Sequence, residues 1–192
     1  MAGIGLKNFK YAKLNEDGKT YGEVKTLAGA IKVKVTLDLS EATLYSDDVL
    51  KEQVSLFKSG TMTAGIDDDN DEVFAELLGK TIDKETCIVT SNANDLPIYV
   101  GFGHIVPKIV AGVKKYKVEF FPKVKFKPFI ADSKTKGDSL EFTTPSVEAT
   151  IFENDNGDWE KHSIMIRKMK QMLHLQDFLC KLLQKIRSDK IW

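Results

Sequence analysis

The sequence predicts a mainly β fold with one α-helix, and two features of its pattern support this. Apolar and polar residues alternate along Ile31–Leu39 and Tyr116–Lys127, and a period of two is typical of strands with one buried and one solvated face. The best helix candidate in the first 160 residues is Asp67–Gly79. A length of 192 residues fits one domain with an appendage, and we place the β domain at residues 1–160 and the appended tail at residues 161–192.

The segments around the first alternating stretch carry more turn signals than strand signals. Residues 1–29 contain short apolar pieces, several glycines and a turn signal at Asn15–Gly18, which predicts an extended, loop-like arm. Residues 42–66 are polar and are interrupted at Asp47–Asp48 and Ser59–Gly60. They predict two or three short strands in an exposed loop or ribbon.

The helix candidate has both of its end signals. Asp69 or Asn70 can accept hydrogen bonds from the first N–H groups, acids fill the first turn, and Gly79 ends the helix. The acidic run from Asp67 to Glu72 is therefore expected to serve the helix start. It lacks the alternating ligands and central glycine of an EF-hand calcium loop. A short strand is expected after the helix, at residues 87–91.

The longest predicted element is a hairpin over Ile98–Lys127 that turns near Ala111–Lys115. Its second half places aromatic and aliphatic residues on one face and lysines on the other, with Phe121 as the exception. Such an alternation indicates a solvated sheet face rather than nucleic-acid binding. The first half is apolar on both faces and carries Gly101 and Gly103, and glycine inside a strand is typical of a bulge or a close backbone approach.

The alternating second strand of this hairpin would run roughly 40 Å, about twice the length of a common strand. It must curve round a barrel, bend at Pro122, or project beyond its own domain. His104 lies on this hairpin and is expected to be structural or to lie at an interface, because no sequence pattern supplies the nucleophile and acid of a catalytic site.

The end of the chain changes in character. Leu140–Phe152 is expected to be a strand whose apolar parity switches at Thr144–Pro145, and a turn is expected at 154–157. Residues 161–192 contain no glycine or proline and have helical apolar spacing. This predicts a basic amphipathic helix as the tail.

The net charge of zero conceals an asymmetry. The tail carries eight basic and two acidic residues, so residues 1–160 carry 20 basic and 26 acidic residues and a net charge of −6. An acidic body argues against a protein that grips nucleic acid through phosphate contacts. No apolar stretch is long enough for a transmembrane helix. Cys87 and Cys180 are expected to be small buried hydrophobes, and we expect no cofactor and no metal.

Beyond these patterns, an ordered set of stretches resembles a known family, the major tail proteins or tail-tube proteins of long-tailed phages and prophages of Gram-positive bacteria. The resemblance covers about residues 1–161 in collinear order. The stretches are GLKNFKYA (5–12), LAGAIKVKV (27–35), LYSDDVLKEQ (44–53), FKSGTMTAGIDD (57–68), AELLG (75–79), PIYVGFGHI (97–105), KKYKVEFFPKVKF (114–126), TKGDSLEFTTPSVEATIF (135–152) and GDWEK (157–161).

The resemblance implies a tail-tube-like β-sandwich or barrel with one flanking α-helix, and a structural role without enzymatic activity. Subunits of this family form hexameric rings that stack into a hollow tube. The tube forms around a tape-measure protein, contacts tail terminator and baseplate proteins, and lets DNA pass without specific binding. The expected location is the virion tail, assembled in the cytoplasm of the bacterial host, with no membrane partner.

On this basis we assign two sets of candidate surface residues. The residues expected to contact neighbouring subunits are Tyr45, Phe57, Tyr99, Gly101, Phe102 and Gly103. The acids expected at the lumen or at ring-stacking surfaces are Asp47, Asp48, Asp67, Asp68 and Asp69. The doubly apolar half of the long hairpin is expected to be buried only on assembly.

The resemblance ends near Lys161, where the family continues with a short acidic segment and a helix rich in Ala and Glu. One adenine restored in the Lys161 codons can give Lys-Thr-Gln-Tyr-Tyr-Asp-Thr-Glu-Asp-Glu-Ala, so our hypothesis is a single-nucleotide frameshift. Two other functions stay open from the residues alone. A β-sandwich binding module, for example for carbohydrate, would group exposed aromatics on one face, and a small hydrolase would gather His104 with acids in a pocket.

Overall fold

Antiparallel strands make up most of the structure, a computed structural model that describes residues 3–129 and 144–163. The prediction of a mainly β fold with one helix is confirmed. The elements are β1 Lys7–Leu14, β2 Tyr21–Thr26, β3 Ala30–Ser46, β4 Val49–Ile66, α1 Asp71–Leu78, β5 Thr81–Asp83, β6 Ile88–Thr90, β7 Tyr99–Val110, β8 Val113–Phe126, β9 Ser146–Phe152 and β10 Lys161–His162. The main sheet has the order β2-β1-β7-β8-β9-β4-β3, with β10 also on β8, and β5–β6 form a separate pair.

Residues 7–26 form a paired hairpin, so the prediction that residues 1–29 are an extended, loop-like segment is wrong. β1 pairs with β2 on one side and with β7 on the other. Phe9 and Tyr11 alternate with Lys10 and are buried in the core, which is the strand pattern that the neighbouring glycines obscured. The turn at Asn15–Gly18 is confirmed, and Gly18 N donates to the Asn15 carbonyl at 3.0 Å.

β3 and β4 form one long hairpin rather than two or three short strands. Its turn lies at Asp47–Asp48, as the sequence indicated. The second interruption, Ser59–Gly60, lies inside β4. Gly60 pairs with Ile151 of β9, and a Cβ atom at Gly60 would lie 3.3 Å from Ile151 Cβ. Gly60 therefore lets β4 and β9 approach closely, and it does not form a turn.

The β7–β8 hairpin is confirmed, but its faces differ from the prediction. Val100 pairs with Val124, and Phe102 pairs with Phe121, so β8 has one residue more than β7 between these pairs. This β-bulge contains Pro122 and exchanges the two faces of β8. Phe121, Val124 and Phe126 therefore share the core face, whereas Phe120, Val118 and Tyr116 lie on the other face.

The core lies between the strands and α1, whose ends match the sequence signals. Asn70 is the N-cap, and its Oδ1 accepts from Glu72 N and Val73 N at 3.0 and 3.3 Å. Gly79 ends the helix with a φ of 72°, a left-handed conformation that glycine adopts without strain. Phe74, Ala75, Leu77 and Leu78 are buried against the sheet residues.

The last two described strands, β9 and β10, both pair with β8. Val147, Ala149 and Ile151 of β9 are buried, as their spacing predicted. β10 pairs with Phe120 and Glu119, so the sheet continues just past the predicted domain boundary at residue 160. The expected strand residues 140–143 and the expected tail helix after residue 163 lie outside the described residues, as does Cys180. Cys87 is exposed with a φ of 56°, so its expected burial is wrong.

Candidate assembly surfaces

The most exposed part of the structure is the outer end of the β3–β4 hairpin, residues 38–59, which we call the arm. Every arm residue is exposed except Phe57 and Ser59, which are partly buried. The last pairing of β4 with β9 is at Gly60, so among residues 3–129 and 144–163 the arm is a two-stranded ribbon that is supported only at its base. A hairpin of two strands alone is marginally stable in water. The arm is therefore a surface that would gain stability from a partner.

The two faces of the arm differ in polarity. Cross-strand partners share a face, and the pairs Ala42–Val54 and Leu44–Glu52 lie on the same face as Ser40–Leu56 and Ser46–Val49. That face, which we call the apolar arm face, carries Ala42, Leu44, Val49, Val54 and Leu56. The fractional exposure of Leu44 is 58%, that of Val49 is 59% and that of Leu56 is 64%. The opposite face has a polar middle in Glu41, Thr43, Gln53 and Ser55.

The turn at the end of the arm consists of two aspartates. Asp47 and Asp48 have φ values of 52° and 59°, the left-handed pair of a type I′ turn, for which Asn-Gly is the favoured sequence. Both residues are exposed. The structure thus places two adjacent negative charges at the outermost point of the arm. Tyr45, a predicted contact residue, lies beside them with 64% of its surface exposed.

Phe57 lies at the base of the arm and is already covered within the chain. Its ring stacks on the indole of Trp159, with ring centroids 5.0 Å apart and an interplanar angle of 10°. Both side chains also pack against the core. This contact fixes the base of the arm to the body, so Phe57 supports the arm from the inside.

Gly101, Phe102 and Gly103 are buried in the single chain. The expectation that they form a surface covered only on assembly is therefore wrong. Phe102 is fully buried in the core. On the other side of the strand, Tyr21 and Phe120 occupy the space beside Gly101. The two apolar faces of β7 are thus covered by the core and by these two rings.

Tyr99 is the one predicted contact residue of the β7–β8 hairpin that reaches the surface, with an exposure of 38%. The ammonium groups of Lys123 and Lys125 lie 5.3 and 4.9 Å from the centre of its ring. Phe152 contacts the ring edge-on at 5.7 Å. Tyr99 is therefore held in place by cation–π and aromatic contacts within the chain.

The predicted acids do not form one site. Asp47–Asp48 and Asp67–Asp69 lie at opposite ends of β4, whose length of 18 residues corresponds to roughly 55 Å at about 3.3 Å per residue. Asp67 Oδ1 accepts from Gly29 N at 2.6 Å, which ties the end of β4 to the segment before β3. Asp68 and Asp69 are exposed ahead of α1. The two groups are therefore separate surfaces.

A second projecting hairpin end was not predicted as a surface. It is the end of the β7–β8 hairpin, residues 106–117, which we call the basic tip. It contains Lys108, Lys114, Lys115 and Lys117 and no acidic residue. Ile109 and Val113 beside its turn are 50% and 45% exposed. The alternation of lysines with apolar residues was the available signal, but it was interpreted only as a solvated sheet face.

Just below the basic tip, His104 lies in the core among aromatic rings. Its ring is 1% exposed and lies near Phe9, Phe102 and Phe121, which confirms the structural alternative for this histidine. Its Nε2 lies 3.0 Å from Glu119 Oε2, and Lys117 Nζ lies 2.7 Å from the other carboxylate oxygen. Both ring nitrogens of His104 are buried without a hydrogen-bond partner among the described residues.

Other chemical sites are scarce in the part of the chain that the structure describes. The depression between α1 and β6 has a volume of about 230 Å³ and contains Asp69, Asp71 and Lys80 beside apolar residues. Within residues 3–129 and 144–163, no three His, Cys, Asp or Glu side chains are arranged to hold a metal ion. The one helix in these ranges is too short to cross a membrane.

Comparison with known proteins adds no family assignment. No protein-family model matches the chain, and no curated protein matches its sequence.

Proposed function

We propose that this protein is a structural subunit that assembles with copies of itself into rings, and that the rings stack into a hollow tube like the tail tube of a long-tailed phage. The observation that carries this proposal is the arm. Beyond the body of the subunit it exposes an apolar face and two strand edges that no other described strand pairs with. Neither is favourable in an isolated chain, because apolar area and open strand edges both promote association.

In a closed ring, neighbouring subunits could cover the apolar arm face and the open strand edges. β3 forms one end of the strand order and β2 forms the other, so a neighbouring subunit could cover either edge. A cyclic assembly covers the same edge on every subunit and leaves none open within the ring. The resemblance in the sequence favours a hexameric ring around a tape-measure protein, with tail terminator and baseplate proteins at the ends of the tube.

The charge of the body also supports this function. Residues 1–160 carry a net charge of −6, and an acidic lumen would repel DNA phosphates and let DNA pass without binding. In this proposal the protein belongs to the virion tail and assembles in the cytoplasm of the bacterial host. Tyr45 and Asp47–Asp48 at the arm end, together with Tyr99, are the surface residues through which subunits would meet.

Sedimentation velocity with paired arm variants tests this proposal. Leu44→Ser with Val54→Ser removes apolar side chains from the apolar arm face, and Thr43→Ser with Gln53→Ser changes the opposite face at the neighbouring positions. We expect the wild-type chain to form large oligomers. The Leu44→Ser, Val54→Ser variant should sediment as small species, and the Thr43→Ser, Gln53→Ser variant should assemble as wild type does. A wild-type chain that is monomeric at every concentration would contradict the proposal.

The alternative of a carbohydrate-binding module has less support. It requires exposed aromatic residues grouped on one face, as in stacking platforms for sugar rings. Tyr45 and Tyr99 are the aromatic residues most exposed among those the structure describes, and they lie on different hairpins. No specific observation therefore favours this function over assembly.

A further inference from the structure

Two hairpin ends project from the sheet, and they carry opposite charge. We propose that the arm of one subunit docks on the basic tip of the next, so that Asp47 and Asp48 of one copy face Lys114 and Lys115 of its neighbour. This inference rests on the proposed function and specifies which two surfaces of the subunit meet.

The arm supplies the negative side of this contact. Residues 38–59 contain five acids and two lysines, a net charge of −3. Lys58 lies 3.5 Å from Asp38 near the base, which leaves the outer arm with Glu41, Asp47, Asp48 and Glu52 against a single lysine. Leu44 and Val49 lie next to the acidic turn on the apolar arm face. The outer arm therefore presents an apolar face, and the acidic turn places negative charge at the outer end of that face.

The basic tip has the complementary layout. Its four lysines give it a charge of +4. Lys117 is paired with Glu119, whereas Lys108, Lys114 and Lys115 have no ion-pair partner among the described residues. On one face of the tip, Ile109 lies opposite Lys114, and Pro107 lies opposite Tyr116, with Lys114 Nζ 5.8 Å from the centre of the Tyr116 ring. Pro107 is buried and Tyr116 partly buried, so the exposed apolar area of this face is that of Ile109, beside the positive charge of Lys114.

The sign of the charges selects the way in which the copies pair. Two arms that meet at their outer ends would bring Asp47 and Asp48 close to the same residues of the partner, and two basic tips that meet would bring their lysines together. Repulsion between like charges disfavours both arm-to-arm and tip-to-tip pairing. Arm-to-tip pairing is heterologous, because each subunit uses one surface to bind and offers the other. Such a contact repeats from subunit to subunit, as rings and tubes require.

Two charge-reversed full-length variants provide the test. Variant one, Asp47→Lys with Asp48→Lys, has a basic arm and a basic tip. Variant two, Lys114→Glu with Lys115→Glu, keeps the acidic arm and places two glutamates beside the turn of the tip, whose net charge becomes zero. Sedimentation velocity at low salt should show self-association at least about tenfold weaker for each variant alone. An equimolar mixture should recover association to within about threefold of wild type, because residues 47 and 48 of each arm can then meet residues 114 and 115 of opposite charge.

Two controls separate this pairing from other effects. Lys19→Glu with Lys84→Glu makes the same charge change in two exposed turns away from the tip and should assemble as wild type does. Raising the salt concentration should weaken wild-type association, because screening reduces contacts between exposed charges. A circular dichroism spectrum like that of wild type confirms that each variant is folded.

The outcomes distinguish the pairing from the proposed function. If wild type assembles and the mixture recovers while the single variants do not, the pairing stands. If wild type assembles but the variants assemble equally well alone, or the mixture fails to recover, the pairing is wrong and self-assembly stands. If wild type does not associate at any concentration, both the proposed function and the pairing are overturned.

Discussion

His104 and Glu119 lie opposite each other on β7 and β8, and the ring nitrogen Nε2 is 3.0 Å from the carboxylate oxygen Oε2. The histidine is buried among phenylalanine rings, whereas the carboxylate also reaches Lys117 at 2.7 Å. His104, and after it Lys117, hold the pKa of Glu119 at about 2, below its ordinary value of 4.5 and against the opposing effect of burial. This cluster joins the core to the basic tip of the hairpin.

The first prediction concerns the effect of Glu119 on stability and its pH dependence. Because the folded-state pKa is lowered, the stabilising contribution is present above about pH 4.5 and is lost as the pH falls towards 2. We expect Glu119→Gln to lower the free energy of unfolding at pH 7 by roughly 1–3 kcal/mol. The difference between variant and wild type should shrink at acid pH. Urea denaturation between pH 2.5 and pH 7 measures both effects.

Glu148→Gln is the matched control for this prediction. Glu148 pairs with Lys127 at 3.2 Å, but both side chains are about half exposed, and exposed pairs contribute little. Its effect on stability should stay within about 0.5 kcal/mol at every pH. Equal and pH-independent effects of the two substitutions would show that the buried cluster has no special role.

The second prediction concerns Gly101, where β7 leaves room for two aromatic rings. A Cβ atom at this position would lie 2.6 Å from Tyr21 Cε1 and 2.8 Å from Phe120 Cζ. Gly101→Ala should therefore force these rings to move and lower the free energy of unfolding by roughly 1–3 kcal/mol. Gly22→Ala, also in a strand but with its nearest contact at 3.8 Å, should change stability by less than about 0.5 kcal/mol. A neutral Gly101→Ala in thermal denaturation would refute the close packing.

The third prediction separates the two cap candidates of α1. Asn70 makes the capping hydrogen bonds, and Asn70→Ala should cost about 1 kcal/mol of stability. Asp69→Ala removes a neighbouring carboxylate that makes no cap contact and should cost less than about 0.5 kcal/mol. Chemical denaturation of both variants checks the ranking, and a larger loss for Asp69→Ala would reverse the assignment of the cap.

The fourth prediction concerns the stacked pair at the base of the arm. A double-mutant cycle with Phe57→Leu and Trp159→Leu should give a coupling energy of roughly 0.5–1.5 kcal/mol, as aromatic pairs in contact do. Both single variants should also speed amide hydrogen exchange in the arm, because the pair fixes its base. Additive effects on stability and unchanged exchange would show that the stack does not support the arm.

Some parts of the fold were predictable because their pattern has one physical interpretation. The capped helix is such a case, since Asn70, the acids and Gly79 all mark the same ends. The turn at Asp47–Asp48 and the β7–β8 hairpin are others. β1 was missed because its glycine-rich surroundings outweighed the short alternation of Phe9 and Tyr11.

Other features depend on contacts that no local pattern contains. The bulge at Pro122 exchanges the faces of β8, and its position depends on the pairs Val100–Val124 and Phe102–Phe121 across the hairpin. The apolar residues around Phe102 indicated burial on both faces of β7, but not that Tyr21 and Phe120 of the same chain provide the cover. The sequence predicts short strands where the arm has two long ones, because an exposed ribbon has no burial pattern to show its continuity.

Negative-stain electron microscopy of the purified full-length protein tests the central claim most directly. The protein should form hollow rings at high concentration and low salt, and the rings should stack into tubes of uniform diameter. Leu44→Ser with Val54→Ser should abolish these particles without unfolding the chain. Uniform, isolated monomers of the wild-type protein under the same conditions would contradict the account of the arm as an assembly surface.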